Sequence, residues 1–505
     1  MAAASYAPAG TQLPADGFGL GPMAAAPRWD GVDVAVVGLG TENMPLVRYL
    51  VGQGARVVAC DRKEADEFGP QADELRRLGV RLVLGPDYLR GLEGVRVAFV
   101  SPGIPKNLPA LQAARRAGVR LSGQVDLFLR LCPAPVIGIT GSAGKTTTTT
   151  LIGRMLRATG RPVFVGGNIG EPLIERLGEI GPQAWVVLEL SSFQLETTGV
   201  SPHGAVVTNI TPNHLDVHES MEAYVAAKQR IVAFQGAGDF AVLNADDAVV
   251  SAMRDQTPGA VVWFGMQRPR TPGAWLEGDR LMVCLQEGGP AGGGVELMRR
   301  SEIRLRGSHN VANVLAAAAA VLYAGCPAEG VREAVRSFAG VPHRLEEVAR
   351  VDGVLYVNDS IATTPARAMA ALASFAEPVV LIAGGYDKHL PFDELARVVV
   401  RRCRHVVLMG QTAGAIERAL EAAEQELGQA AGQQPGGPGA VRPTRSRAAS
   451  LEQALEQARQ AAQPGDVVLL SPACASYDMF RNFEQRGARF RELVRAMAAG
   501  EEAGR

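Results

Sequence analysis

From Val32 the chain alternates short apolar runs with stretches whose apolar residues recur every three or four positions. The run VDVAVVGLG reads as a strand, PLVRYLVGQG as a helix, ARVVACD as a strand and ADELRRLG as a helix, followed by the strand-like VRLVLG and VRVAFVSPG. A second series opens at APVIGITGSAGKTTTTTLIGRML and runs on through WVVLELSS, AVVTNIT and FAVLNADD. A third begins after VPHRLE, with VLYVND, PVVLIAGG, HVVLMG and DVVLLSPA each followed by helix-like sequence. Strands alternating with helices at this spacing predict parallel sheets covered by helices on both faces. The stretch 258–306 is richer in glycine, and its pieces GAVVWFG, RLMVCLQ and VELMRRSEIRL predict a small β excursion inside the middle module. The pattern therefore predicts three α/β modules, at 28–132, 133–340 and 341–505, after a tail at 1–27.

Composition narrows the class. At 505 residues the chain is long enough for about three domains of ordinary size. Lys+Arg total 51 against 52 Asp+Glu, a net charge of −1, so a nucleic-acid partner held by phosphate neutralisation is not expected. Hydrophobic residues at 47% exclude bulk disorder. The six cysteines are far apart with no CxxC pair, which argues against a disulfide scaffold or zinc knuckle and for a reducing, cytoplasmic setting. No apolar run is long enough to span a bilayer, so no membrane partner is expected. The small, Gly/Pro-rich opening 1–27 reads as a disordered tail, with Met23 an alternative start, and 428–447 reads as a surface loop within the third module.

The strongest chemical signal is Gly138-Ile-Thr-Gly141-Ser142-Ala143-Gly144-Lys145-Thr146, between an apolar strand and a helix. Backbone amides of such a loop surround phosphate oxygens, the helix N-terminus adds positive dipole, Lys145 reaches the terminal phosphates and Thr146 ligates Mg²⁺. The string departs from strict GxxxxGK[ST] by one residue of spacing, since Ile139 stands where the first glycine would be. Downstream, the buried-strand pattern Trp185–Glu189 ends in a carboxylate, where a Mg²⁺ ligand belongs beside a phosphate loop. Another strand end carries Asn213-His214-Leu215-Asp216-Val217-His218. Taken alone, His214 is more readily a hydrogen-bonded loop histidine than a ligand, and Lys228 a solvated face of the helix that follows. In the first module Gly38-Leu-Gly40-Thr-Glu-Asn43, with Asp61 closing the next strand, approaches a dinucleotide fingerprint. Asn43 replaces the third glycine, so a nucleotide or sugar-nucleotide site in that crevice is favoured over NAD.

These segments together resemble the Mur ligases of peptidoglycan synthesis over about 32–497. TGSAGKTT is similar to the family's TGTNGKTT loop, GGNIG (166–170) to its muramoyl-contacting loop and ELSSFQLE to its Mg²⁺ strand. NITPNHLDVH and AYVAAKQRI resemble the segment with the second-metal histidine and the carbamylated lysine. GSHNVANVLAA, VPHRLE, NDSIATTP, GGYDKH and SPACASYDMFRNFEQRG complete the series in the family's order, the last pointing to the glutamate-adding branch. The implied fold is an N-terminal Rossmann-like domain, a central P-loop ATPase-type domain and a C-terminal Rossmann-like domain.

The resemblance implies that the carboxylate of UDP-MurNAc-L-Ala attacks ATP to give an acyl phosphate, which the amine of D-glutamate converts to an amide. It implies that Gly141, Ser142, Ala143, Gly144, Lys145, Thr146 and Thr147 hold ATP, with Asn313, Arg344 and Asp359 gripping the nucleotide. Thr146 and Glu189 would hold one Mg²⁺, and His214 with a carbamylated Lys228 the second. A catalytic part falls to Lys145, His214 and Lys228. Thr363, Lys388, Ser476 and Phe483 would position glutamate, and Thr41, Asp61, Arg62, Gly103 and Asn168 the UDP-sugar. The third module is expected to close onto the second during turnover, and the enzyme is expected to be a monomer. Three departures stand out: Ala143 where the family usually has Asn, Ile361 where many glutamate ligases have Lys, and GLGTEN in place of the usual first glycine loop. Ile361 cannot donate a hydrogen bond, so backbone amides with Thr363 or Thr364 are expected to hold the α-carboxylate. The rival readings are a folylpolyglutamate-type or another muramoyl-peptide ligase, and a non-enzymatic nucleotide-binding regulator. The GKTT sequence disfavours the folate enzymes, which usually show GKGS, and two metal positions disfavour a mere binding module.

Overall fold

The computed structural model describes residues 29–503 except 171, 213–216, 287–292, 389 and 431–442. The tail at 1–27, His214 and most of the 428–447 loop therefore lie outside the described residues. Three sheets form, one per domain of the three-domain α/β architecture.

The N-terminal sheet has five parallel strands in the order Arg81–Leu84, Arg56–Asp61, Asp33–Val37, Val97–Val100, Arg120–Ser122. Its middle strand is buried from Val34 to Val37, as expected of a parallel strand covered on both faces. The strand order reverses beside Asp33–Val37, so a crevice opens where Gly38–Asn43 and Ser101–Gly103 leave the sheet.

The central sheet has nine strands. Strand Val136–Thr140 lies between Trp185–Glu189 and Gly204–Val207, all parallel, so the phosphate-type loop, Glu189 and Thr208 emerge side by side. The β excursion differs from its sequence reading. Ala260–Gly265 continues the parallel sheet beside Phe240–Asn244, and only Gly273–Glu277, Arg280–Cys284 and Val295–Arg299 pair antiparallel among themselves. The strand Gly273–Glu277 was hidden because its five residues lack an alternating pattern.

The C-terminal sheet has six strands in the order Glu346–Val351, Val354–Asn358, Val467–Leu470, Val379–Gly384, Cys403–Met409, Thr444–Ala448, parallel except the first pair. Here the 428–447 reading needs correction at both ends. The helix Ala413–Ala430 runs into the segment, and its last residues form the edge strand Thr444–Ala448. That strand has no apolar run because it is paired on one side only, and its arginines meet helix carboxylates, Arg445 pairing Glu424 at 2.5 Å and Arg447 pairing Glu417.

The chain divides into two compact units. One holds the described residues up to Arg304 together with Ser308–Phe338, and the other holds Leu305–Gly307 and the described residues from Ala339 onward. Within the first unit one apolar core runs without a break from Trp29, Leu46 and Phe99 through Phe128 and Ile174 to Leu188 and Val207, so the sheets on either side of residue 132 share it, while Ala35, Val37 and Val58 belong to a second core of the N-terminal sheet alone. All six cysteines are buried and none forms a disulfide. No described helix is long and apolar enough to cross a membrane.

Candidate active site

The loop after Val136–Thr140 is built around two glycines. Gly141 has φ 152° and Gly144 φ 82°; a Cβ on the first would collide with Thr208 Oγ1 and on the second with Asn313 Oδ1. No other residue fits either position, and the helix Lys145–Leu156 starts directly behind them. Lys145 Nζ donates to Gly141 O at 2.9 Å and Ser142 O at 3.4 Å. Asn313 reaches the loop from the helix Ser308–Tyr323, whose alanines 316–320 are fully buried. Thr147 is buried and Thr146 half-buried, its carbonyl accepting from Thr150 Oγ1 at 2.8 Å. Ala143 is braced from outside the loop, where Asn209 accepts from its N–H and donates to its carbonyl, both at 3.0 Å. Ser142 Oγ lies 2.9 Å from Tyr224 OH and donates to Thr211 O at 2.9 Å.

Beside the loop stand a carboxylate and an amine, each nearly sealed from solvent. Glu189 is 2% exposed; its Oε1 accepts from Asn168 Nδ2 at 2.9 Å, while its buried Oε2 has no hydrogen-bond partner. Lys228 is 1% exposed, which overturns its sequence reading as a solvated helix position. The helix Met221–Ala233 buries Tyr224, Ala227, Lys228, Ile231 and Val232 along one stripe, and the lysine falls on that stripe. Its Nζ donates to Gly141 O at 3.0 Å and Thr140 Oγ1 at 3.3 Å and lies over the Tyr224 ring. Burial, with the nearby Lys145 charge, pulls the Lys228 pKa down to about 6 against the pull of Glu189 in the other direction.

A buried carboxylate oxygen with no partner fits a cation, and a hydroxyl plus one carboxylate is the sparse oxygen set that Mg²⁺ takes when phosphates and water fill its other positions. Thr146 and Glu189 suit that role. Among the described residues no group of three or more His, Cys, Asp and Glu is arranged to hold a metal by protein ligands alone.

The sugar-nucleotide candidates fall in two places. Thr41, Asp61, Arg62 and Gly103 sit at the carboxyl ends of neighbouring strands of the N-terminal sheet. Asp61 spends both oxygens on the loops, accepting from Leu39 N at 2.7 Å and Lys63 N at 3.0 Å. Asn168 instead lies on the central sheet with Glu189. Sequence reasoning missed how the two places are joined. Gln194, in the turn after Glu189, donates to Glu42 at 2.7 Å, and burial pushes the Glu42 carboxyl above its usual range. Nearby Lys106, 4% exposed, donates to the carbonyls of Ser101, Pro102 and Ile104.

The second unit gathers the remaining candidates. Asp359, 4% exposed, accepts from Ser471 Oγ at 2.8 Å and Leu345 N at 3.2 Å, and burial pushes its pKa up to about 7 although Arg344 and Arg367 oppose the shift. Lys388 Nζ reaches Thr363 O at 3.5 Å, Ser476 is buried, and the Phe483 carbonyl accepts from Ser360 Oγ at 2.8 Å. Sequence reasoning missed Arg486, which is fully buried. It donates to Ser360 Oγ at 3.0 Å, Ser360 O at 2.9 Å, and the carbonyls of Ala475 and Cys474 at 3.2 Å, tying the loops that carry Thr363 and Ser476 to the Phe483 helix. Three of the backbone amides next to Thr364 are engaged within the protein. Ile361 N donates to His343 O, Ala362 N to Asp359 O and Thr363 N to Ile361 O, so those three amides are already spent.

Family models place the chain. The Mur ligase MurD-like N-terminal domain matches residues 32–123, the Mur ligase middle domain 139–321, and the Mur ligase glutamate ligase domain 343–474. The chain is 51% identical to the UDP-N-acetylmuramoylalanine--D-glutamate ligase of Symbiobacterium thermophilum over 92% of its own length and 98% of the relative's. It is 43% identical to the enzyme of that name from Clostridium kluyveri, covering 92% and 96%. Among solved structures it resembles the UDP-N-acetylmuramate-alanine ligase of Thermotoga maritima with a TM-score of 0.52 at 20% identity, covering 92% and 99%, a likeness of fold.

Proposed function

The chain belongs to the Mur ligase family, and from that premise we propose how its residues carry out the ATP-dependent addition of D-glutamate to UDP-MurNAc-L-Ala. It is a ligase of peptidoglycan precursor synthesis. The observation that carries the mechanism is the pair of buried groups beside the phosphate loop, Glu189 with its partnerless oxygen and Lys228 on Gly141.

Phosphoryl transfer asks a protein for positioning and positive charge more than for covalent help. The loop of Gly141, Ser142, Ala143 and Gly144, braced where the N–H groups of Ser142 and Ala143 donate to Asn209, takes the ATP phosphates; Lys145 and the helix N-terminus oppose the charge that builds on the γ-phosphoryl group, and Thr147 supports the helix start. The alanyl carboxylate oxygen bonds to the γ-phosphorus as its bond to ADP breaks, giving an acyl phosphate. The free amine of D-glutamate then bonds to the acyl carbon, phosphate leaves, and the amine gives up a proton. Mg²⁺, when bound, neutralises the phosphate oxygens. Thr146 and Glu189 would hold one ion, with Asn168 fixing the Glu189 carboxylate, and His214 with Lys228 the second.

Lys228 as an ammonium would repel a second cation. Its lowered pKa supports a neutral amine at pH 7, which can add CO₂, forming an N–C bond and releasing a proton to leave a carbamate anion. Asn313, Arg344 and Asp359 take the nucleotide; Thr41, Asp61, Arg62, Gly103 and Asn168 take the UDP-sugar; Thr363, Lys388, Ser476 and Phe483 take glutamate. The reading is of a monomeric enzyme of the cytoplasm, and six buried cysteines that form no disulfide support the cytoplasmic setting.

The test is phosphate release with UDP-MurNAc-L-Ala and ATP, offering D-glutamate, L-glutamate and meso-diaminopimelate in turn. Release with D-glutamate alone is the expected result, and release only with diaminopimelate would sink the reading.

A further inference from the structure

The N-terminal and central domains meet along a polar seam, and a carboxylate stands in it. Glu42 closes the glycine loop of the N-terminal crevice and directly precedes the helix Asn43–Gly52, yet its side chain does not cap that helix. Its Oε1 accepts instead from Gln194 Nε2 at 2.7 Å, a donor from the turn behind Glu189. Asn43, 1% exposed, fixes the loop from the other side by donating to Val37 O at 3.2 Å and Gly38 O at 2.9 Å. A second strap between the two domains runs from Asn107 Nδ2 to Glu219 Oε1 at 3.2 Å. Glu42 is half-buried, and its Oε2 makes no hydrogen bond to any described residue.

Lys106 is the nearby cation, but an ammonium has three N–H groups and those of Lys106 go to the carbonyls of Ser101, Pro102 and Ile104. It acts on Glu42 through charge alone, opposing the upward push that burial gives the carboxyl. Glu196, the other carboxylate near Lys106, belongs to the central domain and has Arg230 as a second cation. A substrate whose uridine end rests on the N-terminal sheet and whose alanyl carboxylate reaches the phosphate loop lays its middle along this seam. That middle is a diphosphate followed by a muramoyl ring with free hydroxyls at C4 and C6. Thr41, Arg62 and Asn168 carry donors suited to phosphate, whereas an ionised carboxylate only accepts and repels a diphosphate at close range. A ring hydroxyl is the part of the middle that such a group attracts.

We propose that Glu42 is a specificity-determining residue for the sugar nucleotide, its Oε2 accepting a hydrogen bond from a free hydroxyl of the muramoyl ring while its Oε1 stays with Gln194. The proposal rests on the reading of UDP-MurNAc-L-Ala as the substrate. It gives the GLGTEN loop a use for the residue that sets it apart from a phosphate-gripping glycine turn.

The experiment uses the full-length enzyme with UDP-MurNAc-L-Ala, its 4-deoxy and 6-deoxy analogues, and UDP as a competitive inhibitor. Wild type should lose about tenfold or more in kcat/KM on one of the two analogues, the usual weight of a hydrogen bond to a charged group. Glu42→Ala should raise the KM for the parent substrate by a similar factor and no longer distinguish it from that analogue. The UDP inhibition constant and the KM values for ATP and D-glutamate should stay unchanged. Glu42→Gln, whose amide oxygen still accepts, should keep part of the preference, and Glu196→Ala should keep all of it. Thermal unfolding of each variant separates loss of the hydrogen bond from loss of the fold. Full discrimination in a folded Glu42→Ala variant, or a preference that collapses only in Glu196→Ala, would overturn the assignment. So would tighter UDP binding in Glu42→Ala, which would put the carboxylate against the diphosphate, or a wild type that takes both analogues as readily as the parent. Wild-type enzyme that does not turn over UDP-MurNAc-L-Ala at all would overturn the substrate reading itself, a separate outcome.

Discussion

Lys228 shows how a single residue changes meaning between sequence and structure. As the lone lysine of its helix it reads as a solvated face residue, yet it is sealed against Gly141 and Tyr224 with its pKa drawn down to about 6. The unfolded chain holds the lysine proton up to about pH 10, so between those values unfolding takes up a proton and the native state gains stability as pH rises. Lys228→Met should therefore be more stable than the wild type at pH 6 and lose that advantage towards pH 10, in denaturant titrations at several pH values. The carbamylation proposed for Lys228 follows the same proton. Activity restored by bicarbonate to CO₂-stripped enzyme should fall steeply below about pH 6, and ¹³C-bicarbonate should give a carbamate resonance that Lys228→Ala lacks. Absence of that resonance from the active wild type would remove the carbamate from the mechanism. The phosphate loop was legible because everything that defines it is local: strand, two glycines, lysine and hydroxyl in order. Arg486 and Asn209 are not, because nothing in their neighbours along the chain says which turn they will meet.

At the level of elements, the strands buried on both faces were visible as unbroken apolar runs, and the edges were not. Val379–Gly384 is buried at every position and reads as a strand; Thr444–Ala448, with TRSRA, falls almost wholly within the segment that reads as loop. What holds this edge is partly ionic. Glu424 is 12% exposed in its side chain and pairs with Arg445, which is 21% exposed, so removing the arginine strands a largely buried charge. Arg445→Ala should cost about 1–3 kcal/mol in urea denaturation of the enzyme. Arg459→Ala breaks an exposed pair three residues apart on one helix, with Glu456, and should cost no more than about 0.5 kcal/mol. Equal costs would show that the edge strand is held by its backbone ladder alone.

For the whole molecule, the sequence divides into three modules and the folded chain into two compact units. The apolar core shared by the N-terminal and central sheets predicts that these two domains open together. Phe128, 2% exposed on the helix Gln124–Leu131, sits within it. Phe128→Ala should destabilise the first unit by about 3–5 kcal/mol. In hydrogen exchange the amides of Asp33–Val37 and of Val136–Thr140 should lose protection by the same factor, with the C-terminal sheet unaffected. Loss confined to the N-terminal strands would mean that the first domain opens alone.

The buried cysteines turn the molecule into its own clock. Burial pushes Cys60 and Cys403 up to about 12 and Cys132, Cys326 and Cys474 up to about 11, so at neutral pH these thiols are both shielded and fully protonated. An alkylating reagent can register each of them only during an opening of its own surroundings. Cys60 then times the N-terminal sheet and Cys403 the C-terminal sheet. Cys474, two residues from Ser476 and bonded through its carbonyl to Arg486, times the loop proposed to receive glutamate. Mass-spectrometric labelling should show glutamate with ATP and UDP-MurNAc-L-Ala slowing the modification of Cys474 more than that of Cys60, an occupancy gauge that needs no engineered probe.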